Sequence, residues 1–316
     1  MGQAIIPQYE KLLPANRDSR ITLFEEDFSL KHFDGLELQC TLRLPDKKGR
    51  HRFVVAAPGF LGFKDWRFLP YLCHQLTLQG FATLGFTHAL AGIRENPYEL
   101  TDLAALARNT TTQELKDWEL LLDAILCQRL PYSHHLRVNA FGVVGHSRGG
   151  SYGILMAQNT SQIRSVVAWG AIATFQRYDR EIQKRWREQG TLEAGTTGLG
   201  KPIVLNVKAL DMLERNYDRL DVVRAMRALT IPVLLLHGRE DKRVCWKESQ
   251  KLWECSPRDL SRFHMIEAAG HTFRTPSPFK SPSQPLAEAI RQTIQWFERT
   301  IPSQPRSESE PQSRMK

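Results

Sequence analysis

A chain of 316 residues, 41% hydrophobic and 24% charged, is globular in composition, and long enough for one large α/β domain with an insertion or for two small domains. Its 43 Lys and Arg against 34 Asp and Glu leave a formal charge of +9. The basic residues are spread along the chain, with acids interleaved in the densest stretch, Arg177 to Glu188, so no nucleic-acid partner is expected. No apolar run approaches the ~20 residues of a membrane-spanning helix. The five cysteines are scattered without a CxxC pair, and no secretory leader pattern precedes them, which suits reduced thiols in a cytoplasm.

Along the chain, residues 1–20 read as an irregular N-terminal extension. "ITLFEEDFSL" and "LELQCTLRLP" alternate apolar and polar residues and predict an antiparallel pair. "RFVVAAPGF" is a continuous apolar run, the pattern of a strand buried on both faces. A helix near Trp66–Gln79, the strand "FATLGFT", a helix near Thr112–Gln128, the strand "VNAFGVVG", a helix from about Arg148 to Asn159 and the strand "IRSVVAWGAIA" follow. After residue 173 the rhythm breaks. Residues 174–230 hold two charged helical stretches around a Gly-rich, loop-like "TLEAGTTGLGKP", and form a candidate cap insertion. The rhythm then resumes with "IPVLLLHG", a helix near Trp246–Cys255, "SRFHMIEAAG" and a helix near Pro285–Thr300. Strands alternating with helices predict a mostly parallel sheet flanked by helices, in two parts, 21–173 and 231–301. Residues 302–316 are rich in Ser, Pro, Gln and charge and read as a disordered tail.

Three stretches carry candidate chemistry. Gly145-His146-Ser147-Arg148-Gly149 fits G-x-S-x-G between an apolar strand and a helix, the setting of a nucleophile elbow. The competing reading is a glycine-flanked serine that merely caps the next helix. A serine hydroxyl needs a base, and the base an orienting acid. Asp241, in the loop after "IPVLLLHG", is the candidate acid, and Glu240 beside it is a poorer one because its longer side chain is harder to orient. His271, after a strand and the turn Ala268-Ala269-Gly270, is the candidate base; His237 and His264 lie in or at the ends of strands.

Taken in order, "PGFLGFKDWRF", "GHSRGG", "HGREDKRV" and "GHTF" make residues 21–300 resemble an α/β-hydrolase of the capped serine-esterase and dienelactone-hydrolase-like branch. True dienelactone hydrolases use a cysteine nucleophile, whereas this elbow carries serine. The resemblance implies a Ser147, Asp241, His271 triad. It also implies an oxyanion hole from the backbone N–H groups of Phe60 and Arg148, a small-molecule ester as partner, and no cofactor or metal. Phe63, Trp66, Trp186 and Phe273 are candidate pocket residues. Phe175, Tyr178, Ile182 and Trp186 form an apolar stripe expected on the first helix of the insertion, serving either as packing or as pocket wall. Thioesterase and aminopeptidase chemistry, or a non-catalytic binding protein on the same scaffold, remain open, as does the oligomeric state.

Overall fold

The structure, a computed structural model, describes residues 23–94, 96, 99–197 and 200–303. The N-terminal extension and almost all of the tail expected from the sequence lie outside the described residues.

In chain order the first half comprises β1 (Phe24–Lys31), β2 (Glu37–Leu44), β3 (His51–Ala57), α1 (Leu69–Leu78), β4 (Phe81–Thr87), α2 (Leu103–Ala107), α3 (Thr111–Leu126), β5 (Leu136–His146), α4 (Arg148–Asn159) and β6 (Ile163–Trp169). The segment after it holds α5 (Arg180–Gln189), β7 (Thr191–Thr196), β8 (Pro202–Asn206), α6 (Lys208–Arg215) and α7 (Val222–Ala228). The chain returns to the sheet with β9 (Val233–Gly238), α8 (Trp246–Cys255), β10 (Arg262–Ile266) and α9 (Gln284–Thr300).

The main sheet has eight strands in the order β1-β2-β4-β3-β5-β6-β9-β10. β1 and β2 pair antiparallel, as do β2 and β4; every other neighbouring pair is parallel. The continuous apolar runs of the inner strands have a direct cause. Alternate residues point to opposite faces, and helices cover both faces. On β3, Phe53, Val55 and Ala57 join one core with α3 and α4, while Val54 and Ala56 join the other with α1 and α9. On β9, Val233 and Leu235 face the first core, and Leu234 and Leu236 the second. Both α3 and α9 start at side-chain caps, Thr110 accepting from the Gln113 N–H and Ser283 from that of Leu286.

Two differences from the sequence reading concern residues 174–230. The Gly-rich stretch expected as loop supplies an antiparallel hairpin, β7 with β8. Phe175 and Tyr178 precede α5 rather than belonging to it, because Asp179 caps the helix by accepting from the Ile182 N–H. Trp186, Leu205 and Leu210 form a small cluster of their own, against which Phe60 and Tyr178 pack. α7 instead buries Val222, Ala225 and Met226 in the main core. Cys40 and Cys73 are buried, Cys127 and Cys245 are exposed, and all five cysteines are unpaired.

Candidate active site

β5 runs into Ser147, which turns the chain straight into α4 with φ 53° and ψ −123°. A side chain held in this region costs on the order of 1–3 kcal/mol. The Ser147 N–H donates to the Trp169 carbonyl at 2.6 Å, and the Ser147 carbonyl accepts from the Gly150 N–H at 3.0 Å, so the turn is pinned from both sides. The hydroxyl makes no capping hydrogen bond to α4, and the helix-cap reading fails on that point.

The flanking glycines act through space rather than through φ. A Cβ at Gly145 would fall 2.4 Å from backbone atoms of Gly149, and one at Gly149 would fall 2.3 Å from the Pro58 carbonyl oxygen. Strand, elbow and helix touch backbone to backbone. Gly149→Ala is therefore expected to destabilise the fold by about 1–3 kcal/mol through overpacking and to displace Ser147. Thermal melts, together with the rate of fluorophosphonate labelling, check this. A variant with wild-type melting and labelling would show that the contact relaxes freely.

Asp241 follows β9 and its carboxylate is fully buried. One oxygen accepts from the backbone N–H groups of Arg243 and Val244, each at 2.9 Å. The other lies 2.6 Å from His271 Nδ1, which donates to it. Burial alone would raise the Asp241 pKa. Hydrogen bonds from His237 and His271 and the Val244 N–H outweigh it and hold the carboxyl below the ordinary carboxylate range. Glu240 is exposed and pairs with Arg274 at 3.1 Å, whereas it is Asp241 that lies against His271.

Among the other histidines, His264 pairs with Glu288. His237 contributes in a way the sequence did not signal. Fully buried, it lies 2.7 Å from the Ser249 hydroxyl, 2.9 Å from the Val244 carbonyl and 3.3 Å from the Asp241 carboxylate, so it supports the carboxylate from behind. His146 likewise supports the loop of His271. Burial, then the neighbouring His271, push its pKa down to about 3, so the ring is neutral. Its Nε2 lies 2.8 Å from the His271 carbonyl and therefore carries the hydrogen and donates. Gly170, at φ 55°, sits under the pair: a Cβ there would lie 3.4–3.5 Å from His271 and Asp241.

The loop after β3 closes the other side. Gly59 lies so near the elbow that a Cβ on it would be 3.1 Å from Ser147 Cβ. Phe60 and Leu61 form the tip of a turn closed by the Gly62 N–H to the Gly59 carbonyl, with Leu61 at φ 62°. The Arg148 guanidinium stacks over the Phe60 ring at 4.2 Å and donates to both oxygens of buried Glu114, at 3.2 and 3.3 Å. Burial opposes its charge, but Glu114 prevails and keeps it protonated.

A cavity of about 390 Å³ brings Ser147, His271, Phe60, Arg148, Trp66 and Trp186 together. Phe175 and Tyr178 of the apolar stripe also line it; Ile182 does not. Two candidate pocket residues are corrected. Phe63 is buried away from the cavity lining. Phe273 is fully buried, packed edge-on against Phe68 and Trp169, and belongs to the core beneath α9. Among the described residues no cluster of His, Cys, Asp and Glu could hold a metal, and no helix is long and apolar enough to cross a membrane.

No protein-family description and no curated protein sequence matches the chain. Solved structures do. Est1E from Butyrivibrio proteoclasticus with ferulic acid bound is 17% identical, with a TM-score of 0.67 over 87% of this chain and 99% of that one. The esterase domain of a Rhodothermus marinus protein is 19% identical, at 0.58 over 88% and 99%. A dienelactone hydrolase from Anabaena variabilis is 17% identical, at 0.54 over 88% and 98%. The fold is that of the α/β-hydrolases. In α/β-hydrolase terms, Ser147 stands at the end of the central strand β5, and Asp241 and His271 follow β9 and β10, which lie beyond β6 in the sheet, at the same sheet edge, where open α/β sheets bind their ligands.

Proposed function

We propose that the chain is a serine hydrolase of carboxylic esters. The carrying observation is Ser147 on a strained elbow, with a hydroxyl that caps nothing, in one cavity with a His271 already oriented by a buried carboxylate. In this reading His271 takes the Ser147 proton as the hydroxyl oxygen attacks the ester carbonyl. The tetrahedral oxyanion is met by the N–H groups of Phe60 and Arg148. Collapse expels the alcohol, which receives the proton from His271, and leaves an acyl-enzyme. Water then attacks the acyl carbon with His271 again as base, and the acid departs with Ser147 restored. Asp241 stays ionised throughout, holding the ring and balancing its transient charge. That solved neighbours of this fold include esterases supports the bond class. Residues 174–230 act as a cap through Phe175, Tyr178 and Trp186, which line the cavity together with Ser147 and His271.

The same triad serves a thioesterase or an aminopeptidase. An aminopeptidase needs a carboxylate for the substrate's free amine, and among the described residues lining the cavity there is none. The test is fluorophosphonate labelling followed by a panel of 4-nitrophenyl esters of rising acyl length, with aryl esters and acyl-CoA. Covalent labelling at Ser147 with ester turnover is the expected result. No labelling of the folded protein would favour a non-catalytic binding protein on this scaffold.

Trp186 packs and lines at once: it is 3% exposed, and its indole N–H donates to the Leu205 carbonyl at 3.2 Å. Trp186→Ala is expected to lower the melting temperature and to change relative kcat/KM among acyl lengths by about ten-fold, within the ~1–3 kcal/mol a pocket group contributes to discrimination. Assays well below the melting temperature separate the two effects. An equal loss on every ester would restrict Trp186 to packing.

A further inference from the structure

Among the described residues, four arginines and no carboxylate line the cavity. Two of them are balanced: Arg148 by Glu114, and Arg177 by Glu248 at 2.5 Å. The other two are not. Arg67 spends one terminal nitrogen on the Thr275 carbonyl at 3.1 Å, while its Nε is buried with no partner. The exposed Arg243 side chain has no ion pair among the described residues, although its main chain is fully used: its N–H donates to Asp241 and its carbonyl accepts from Arg177. The two guanidiniums feel each other. Burial, then Arg243, push the Arg67 pKa down. Arg243 stands two residues after Asp241, and the cavity that it lines with Arg67 also holds His271, so the uncompensated charge shares one cavity with the candidate base.

Like charges gathered in a cavity wall cost free energy unless something neutralises them. A planar guanidinium matches a carboxylate with two parallel hydrogen bonds. Resting on the esterase reading, we propose that Arg67 and Arg243 form a seat for a carboxylate carried by the substrate, so that the preferred ester is itself an anion, such as a dicarboxylic half-ester or an ester of a hydroxy acid. The ester carbonyl goes to Ser147 while the second carboxylate lies across the two guanidiniums. The uncompensated charge also raises the local concentration of anionic substrate.

The test compares esters of nearly equal shape that differ in charge: 4-nitrophenyl hydrogen adipate against its methyl ester for an anion on the acyl side, and 4-acetoxybenzoate against its methyl ester for one on the alcohol side. Wild type is expected to favour the anion in at least one pair by about ten-fold in kcat/KM, or about 1.4 kcal/mol. The ratio is expected to fall toward one in Arg243→Gln, invert in Arg243→Glu, and shrink near 1 M salt, where the screening length is about 3 Å. Among the described residues the exposed Arg243 side chain makes no hydrogen bond or ion pair that folding would lose, so these variants stay interpretable if Arg67→Gln proves unstable. Calorimetry on Ser147→Ala with monomethyl and dimethyl adipate reads the seat without turnover. Anion-selective binding that Arg243→Gln abolishes, in a protein that hydrolyses nothing, keeps the seat and overturns the esterase reading. Ester turnover with neither pair charge-selective, and no preference in calorimetry, overturns the seat and leaves the esterase.

Discussion

Ser147→Ala is expected to abolish ester hydrolysis and fluorophosphonate labelling while the protein stays folded. Loss of the nucleophile costs on the order of 10⁶ in kcat in serine-hydrolase templates. The separation of activity from stability follows from local geometry. The turn is held by main-chain bonds, from the Ser147 N–H to Trp169 and from Gly150 to the Ser147 carbonyl, and alanine keeps both. The hydroxyl makes no cap bond, so its removal leaves no helix end unsatisfied. The measurement is kcat/KM on the best ester, with circular dichroism melts of both proteins. Undiminished turnover in a folded variant would sink Ser147 as nucleophile; a collapsed melt would show the hydroxyl to be structural.

How far the site could be read from the residues depended on how local each cause was. The inner strands were legible because burial on both faces leaves a continuous apolar run, as in Phe53 to Ala57. The elbow was legible because a strand, a pair of glycines and a helix follow one another within a few residues. The glycines' role was not: their need is spatial, set by Pro58 and by each other's backbone. The hairpin of β7 and β8 was hidden because glycine usually marks a loop, whereas here Gly195 at φ 140° sits where the pairing register shifts. The nearness of Phe273 to His271 in sequence suggests a pocket residue but says nothing of its direction. The chain turns after His271, with Phe273 at φ 51°, and the ring goes into the core. His237 gave no sign of its support for Asp241, since that contact spans a loop whose path only the fold defines. Nor could separate arginines at positions 67 and 243 announce that they line one cavity; loops after β3 and β9 bring them to it.

His271→Ala is expected to match the loss seen on removing Ser147, since residues that act as one unit fail together. Asp241→Asn is expected to cost somewhat less, on the order of 10⁴ in kcat. The mechanism is specific. In the wild type, Asp241 can only accept at the oxygen 2.6 Å from His271 Nδ1, so the hydrogen sits on Nδ1 and the other ring nitrogen is free to act as base. In the variant, the backbone N–H groups of Arg243 and Val244 claim the amide oxygen, as they claim the matching carboxylate oxygen now. The amide NH₂ then faces Nδ1 as a donor and favours the opposite tautomer. Stability supplies a second readout. The native carboxyl titrates below its ordinary range, so its stabilising contribution is present above that range and is lost as pH falls through the lowered value. Asp241→Asn should therefore flatten the acid limb of the stability–pH curve, with the gap to wild type closing toward low pH. Equal activity of Asp241→Asn and wild type, with Glu240→Gln crippled, would overturn the choice of acid. A gap that widened toward low pH would overturn the ionised, hydrogen-bonded carboxylate.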